Sequence, residues 1–202
     1  LGGFVDLKEK NMSSVIISGD TSGAVTVAAP AVAGTNTLTL QAATATNAVN
    51  TLATAVASTS GTSIDFTGLP SWIKRITVMF VGVSTSGTSL VRIQLGDSGG
   101  IETTGYVGSS SSISTAVGTS SFTAGFDLNG SLAADIRSGH VVLTTTGSNV
   151  WVASGMIKTS TSQTVILAGD KTLSDVLDRV RITTVNGTDT FDAGTINILY
   201  EG

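Results

Sequence analysis

The sequence predicts a mainly β protein. The expected fold is an antiparallel, jelly-roll-like β-sandwich over residues 61–202, preceded by an extended, β-rich N-terminal stem or arm over residues 1–60. Three observations predict it. After residue 62, short runs with period-two alternation follow one another, separated by Gly, Ser, Asn and Asp. Nearly all the large apolar side chains fall in that part, among them Phe80, Leu95, Phe122, Phe126, Trp151 and Leu177. No charged side chain occurs from Thr21 to Ile64, so the composition changes near residue 60.

The elements follow in order. Val25-Thr26-Val27 and Thr37-Leu38-Thr39-Leu40 alternate as strands, parted by Pro30 and the stretch Ala33 to Asn36. Val49, Leu52 and Val56 are spaced by three and four, which predicts a short helix within 47–57. Strands are then predicted at 63–67, 75–84, 89–95, 104–108, 121–127, 140–146, 150–158, 164–168, 178–184 and 195–200. Gly68 and Pro70 break the chain after the first of these, and Trp72 and Ile73 are placed to cover the mouth of the core. Thr145 to Asn149, "TTGSN", reads as a hairpin turn. Arg179 to Thr183 alternates charged and aliphatic residues, as in a strand with one face in water. Thr172 to Arg179 can open as a helical turn with Ser174 as N-cap. Many short strands with frequent turns indicate a sandwich. Residues 61–202 form the expected folding unit. Small residues such as those from Ala42 to Ser58 bury too little to offset the ~1–2 kcal/mol cost of ordering each residue.

Composition excludes several function classes. The net charge is −4, Lys8 and Lys10 are split by Glu9, and Lys74-Arg75 stands alone. Phosphate-backbone binding needs clustered cations, so no nucleic-acid partner is expected. The chain has no cysteine and one histidine, His140, which removes disulfides and argues against zinc. The Asp residues are scattered, with no calcium-loop spacing, and no cofactor is expected. No run of 18 apolar residues exists, so no membrane insertion is expected. The first residues lack the apolar stretch of a signal peptide, and Met12 is a candidate native start. Charged residues are only 12% of the chain, against about 25% in soluble domains. That deficit suggests a surface covered by sister chains or assembly partners. The charge-free stretch from Thr21 to Ile64, which lacks a core of its own, predicts an oligomer, expected to be a homotrimer.

"LGDSGG", Leu95 to Gly100, matches the text around the nucleophilic serine of chymotrypsin-like proteases. A serine nucleophile needs a base, and in that family the histidine precedes it in the chain. Here His140 follows Ser98. The stretch therefore reads as a turn made of turn-forming residues, and no catalytic or metal site is assigned.

Two longer stretches carry a resemblance. Ile17 to Thr46 resembles a module recurring in structural proteins of tailed bacteriophages. Ile64 to Ser89, with Gly96 to Tyr106, resembles the β-rich C-terminal domain that follows that module. The resemblance implies a virion structural protein, often trimeric, located on the tail or capsid surface. Its N-terminal arm would meet other virion proteins, and its C-terminal domain would face outward. The leading expectation is a tail-fibre or receptor-binding module that contacts a host surface glycan or protein. Tyr106 and Trp151 are the candidate contacts, weighed against packing on a neighbouring strand or subunit. The alternative is a capsid decoration or head-fibre protein. An enzyme is not expected, since no spacing of acids suggests the paired carboxyls of a glycosidase.

Overall fold

The computed structural model describes residues 14–18, 24–28, 49–130 and 132–202. The chain divides into two units, 1–46 and 47–202. In the first, β1 (Ser14–Ser18) pairs antiparallel with β2 (Ala24–Ala28), with Ile16 opposite Thr26. The alternation at Val25 to Val27 lies in β2. The strand expected at 37–40 lies outside the described residues.

The second unit is all antiparallel β. Its strands are β3 (Asn50–Leu52), β4 (Val56–Ala57), β5 (Ser63–Thr67), β6 (Arg75–Thr85), β7 (Val91–Asp97), β8 (Gly100–Ile101), β9 (Tyr106–Ile113) and β10 (Val117–Phe122). They continue with β11 (Phe126–Leu128), β12 (Arg137–Gly147), β13 (Val150–Lys158), β14 (Thr164–Thr172), β15 (Arg179–Thr184) and β16 (Phe191–Glu201). One sheet has the order β10-β9-β14-β13-β12-β6-β16-β3, with β4 also on β16. The other has the order β11-β7-β15-β5, with β8 on β7.

The pairing is nested: β6 with β16, β7 with β15, β9 with β14, β12 with β13. The first three pairs alternate between the two sheets, as in a ribbon rolled on itself. The fourth stays in the large sheet, between β6 and β14, and widens it. The inner faces feed one apolar core. It includes Ile76, Val78 and Phe80 of β6, Ile93 and Leu95 of β7, Val141 and Leu143 of β12, and Ile196 and Ile198 of β16. Burying each such side chain contributes roughly 1.5–3 kcal/mol.

One irregularity sets the inner face of β6. Its buried residues are Ile76, Val78 and Phe80, then Val83 and Thr85. The change of parity falls at Gly82, which has φ +66°, beside Gly194 of β16, at φ +92°. The β6–β16 register shifts between Ala193 and Thr195. A bulge moves every later side chain to the other face, which is how both halves of β6 serve one core.

Several sequence expectations are corrected. The helix within 47–57 is replaced by β3 and β4, where Leu52 lies opposite Leu199 and Val56 opposite Ile196. The edge of β16 offers backbone donors and acceptors that a helix could not satisfy, and Ala53 and Val56 pack on the core. The compact unit therefore begins at Asn47, not Gly61. No helical turn forms over 172–179; Leu173 and Leu177 sink into the core instead. The strand expected at 121–127 is two strands in different sheets, β10 and β11. The strand expected at 104–108 runs on to Ile113 and forms a hairpin with β10. Ile73 is buried, but Trp72 is 38% exposed, packed on Tyr200 with ring centres 5.8 Å apart.

Gly194→Ala should test the bulge. A Cβ there would overlap the Gly82 carbonyl and lie 2.6 Å from the Val83 nitrogen, in a backbone conformation unfavourable to Ala. The expected loss is about 2–3 kcal/mol in urea unfolding. Gly187→Ala, in an open turn with nothing near its Cβ, should cost less.

Candidate functional site

The Gly-Asp-Ser-Gly-Gly stretch forms the turn between β7 and β8, with Asp97 opposite Gly100. Each residue but one has a structural task. Gly96 leaves room for Gly100 and the Arg179 side chain. Asp97 accepts the Gly99 N–H at 2.8 Å, which closes the turn. Ser98 is exposed. His140 is exposed too, on β12 of the other sheet, opposite Met79 and Met156. The motif therefore places a turn, and its serine and the histidine belong to different sheets.

Around that turn a polar network joins three segments. The Ser174 hydroxyl lies 2.7 Å from Asp97 Oδ2 and 2.8 Å from Glu102 Oε1, and the Ser174 N–H donates to Glu102 at 2.7 Å. Lys171 bonds the other Glu102 oxygen and the Thr172 carbonyl, and sits 5.5 Å from the centre of the Tyr106 ring. Tyr106 is 1% exposed; its hydroxyl accepts the Leu95 N–H at 2.7 Å and donates to the Glu102 carbonyl at 3.0 Å. Burial pushes its pKa upward. Tyr106 is thus a packing residue, and burial removes it from the candidate contacts. The Ser174 hydroxyl, then the Gly99 N–H, hold the Asp97 carboxyl below its ordinary pKa. Burial raises that of Glu102, but Lys171 and the two Ser174 donors outweigh it and leave it lowered.

The candidate binding site lies at one end of the sandwich. Three segments meet there: the loop from Gly68 to Lys74, the β12–β13 turn, and the stretch from Leu173 to Asp178. Backbone bonds fix them together. Leu69 donates to Asp178 at 2.9 Å, Thr145 to Lys74 at 2.9 Å, and Leu173 to Asn149 at 3.0 Å. The turn residues Ser148 and Asn149 have φ +49° and +61°, the primed geometry that suits a two-residue hairpin. Between the segments is a cleft of about 410 Å³. Its lining includes Pro70, Ser71, Lys74, Thr146, Asn149 and Trp151.

Trp151 forms part of the cleft wall and is 3% exposed. Among the described residues its indole N–H meets no acceptor, nor is it among the sealed buried atoms without partners, which are Ser110 Oγ and Arg137 Nε. Lys74 is the one charged lining residue and has no ion-pair partner among the described residues. A small apolar wall, hydroxyl and amide groups, and one ammonium suit binding by hydrogen bonds. Of the sequence candidates, only Trp151 reaches this cleft. Lys74, Thr146 and Asn149 were missed as site residues. The loop and the hairpin turn were each legible, but their meeting depends on the β6–β12 register.

Comparison of the chain with protein-family models, with curated proteins and with solved structures finds no match in any of the three.

Two predictions follow from these side chains. The lowered pKa values of Asp97 and Glu102 mean that the unfolded chain takes up protons first as pH falls. Their contribution is complete above the ordinary carboxylate range and is lost as pH falls through that range and below it. Melting temperature should drop across that window, and Asp97→Asn with Glu102→Gln should flatten the drop. A fluorophosphonate probe should leave Ser98 unmodified; labelling that His140→Ala abolishes would contradict the turn assignment.

Proposed function

We propose that this chain is a structural protein of a phage virion, a tail-fibre or receptor-binding module that contacts the host surface. The observation that carries the reading is the cleft at the loop end of a rigid all-β sandwich, walled by Trp151 and lined with neutral polar groups. The resemblance of Ile17 to Thr46, and of Ile64 to Ser89 with Gly96 to Tyr106, to phage structural modules supports it. The mechanism is adhesive. Residues 1–46 attach to other virion proteins and associate as a trimer, and each sandwich presents one cleft to a host glycan or protein. Individually weak contacts are multiplied by avidity once linked on one particle. The reading assigns the chain no catalytic step.

Capsid decoration is the second reading. It draws on the broad, weakly charged outer face of the nine-stranded sheet, a surface suited to packing in an array. Copy number per particle separates the two: a few trimers for a fibre, hundreds of chains for decoration.

The cleft is tested by cell binding. Fluorescently labelled full chain should bind susceptible bacteria and compete with phage adsorption. Thr146→Arg, placed at the cleft wall, should reduce that binding at least about tenfold, equivalent to ~1.4 kcal/mol, with an unchanged melting curve. Equal binding by the variant would remove the cleft from the account, and no binding by the wild-type chain would remove the fibre reading.

A further inference from the structure

The outer face of the nine-stranded sheet has an unusual distribution of charge. One row of paired residues crosses it as Ser111, Ile166, Met156, His140 and Met79. The adjacent row is Ser109, Ala168, Ser154, Val142 and Thr77. Neither row contains Lys, Arg, Asp or Glu. Met156 is 60% exposed and Ile166 38%, and Val152 and Val107 extend the apolar surface on the same face. A broad face of apolar and small neutral side chains, open to solvent and free of charge over two rows, is suited to an interaction surface.

Two charges bracket it. Lys158 stands at one end of the β13–β14 pair, opposite Thr164, and Asp170 at the other end, opposite Val152. Both are exposed. Six of the eight described Lys and Arg residues lie in ion pairs, and the two that do not are Lys74 at the cleft and Lys158 here. Asp170 likewise has no ion-pair partner among the described residues. Farther across the face Arg75 and Glu201 pair with each other.

We propose that this face is a two-fold interface with a second copy of the same chain. A two-fold axis across the strands, midway between Lys158 and Asp170, lays the Lys158 end of one copy over the Asp170 end of the other. The contact is then isologous, with each pair made twice. Strands of the two copies run aligned, which lets the faces pack about 10 Å apart, as sheets do in a sandwich. A partner of a single charge sign would be repelled at one end of the patch, whereas a second copy meets the opposite sign at both. Met156, Ser154, Ile166 and Ala168 lie nearest the axis. The inference is independent of the virion reading and of how residues 1–46 associate.

The absence of cysteine in the chain makes a direct test possible. Ser154→Cys places one thiol at the centre of the face, and Ser98→Cys places one in the exposed β7–β8 turn. With a short bis-maleimide, full-length Ser154→Cys should give covalent dimer at least about tenfold faster than Ser98→Cys. Adding Met156→Glu should abolish that advantage while the circular dichroism melt is retained. If Met156→Glu impairs folding, Lys158→Glu should slow cross-linking several-fold and Lys158→Glu with Asp170→Lys should restore it. Equal rates for the two single-cysteine chains overturn the proposal. So does cross-linking indifferent to both Met156→Glu and Lys158→Glu, or failure of the charge exchange to restore the rate. A Ser154→Cys thiol shielded from maleimide without dimer formation also overturns it, and points to cover from within the chain.

Discussion

The pairing of β6 with β16 is the constraint on which the rest of the second unit depends. Each strand is 11 residues long, and β6 is held on its other side by β12. The pairing draws the C-terminus to the beginning of the sandwich, and β16 in turn carries β3 and β4. Its bulge at Gly82 and Gly194 keeps Phe80 and Val83 on the same inner face. Without the bulge, a strict period of two would turn Val83 and Thr85 outward and place Gly82 and Ser84 toward the core.

The same pairing sets the binding cleft. Lys74 precedes β6, and its N–H donates to the Glu201 carbonyl at the end of β16, while its carbonyl accepts the Thr145 N–H at the end of β12. Three strand ends are thereby registered, and the hairpin turn at Ser148 and Asn149 is delivered beside the Gly68–Lys74 loop. At the opposite side of the chemistry, the protein spends its few charges in pairs. Arg92 binds Asp127 and Arg181 binds Asp65 through two bonds each, the forked geometry that orients a guanidinium most strongly. Arg137 is fully buried, donating to the Gly130 carbonyl at 2.7 Å, with the Asp135 carboxylate 3.9 Å away. These arrangements leave the outer sheet face nearly free of charge.

The fold class was legible because alternation and turn chemistry agree along most of the chain. The strands at 63–67 and 150–158 lie where period two places them, and the TTGSN turn is a hairpin. Legibility failed where side-chain pattern and backbone demand diverge. Val49, Leu52 and Val56 have helical spacing, yet the free edge of β16 recruits that segment as strand. The serines of β9 give no apolar alternation, so a half-exposed strand left no periodic mark. The bulge at Gly82 interrupts alternation inside a true strand. The cleft was less legible still: Trp151 carried a signal as an aromatic, but Lys74 and Asn149 become neighbours of it only through pairings between residues distant in sequence.

Amide hydrogen exchange tests the central claim most directly. If the β6–β16 pairing closes the sandwich, the amides of Thr77, Met79, Asn197 and Leu199, which alternation turns toward the partner strand, should exchange only through global unfolding. They should be among the slowest in the chain, with protection equal to the unfolding free energy measured in urea. Exchange of these amides by local opening, while those of β7 and β15 stay protected, would contradict the account and make the smaller sheet the structural base.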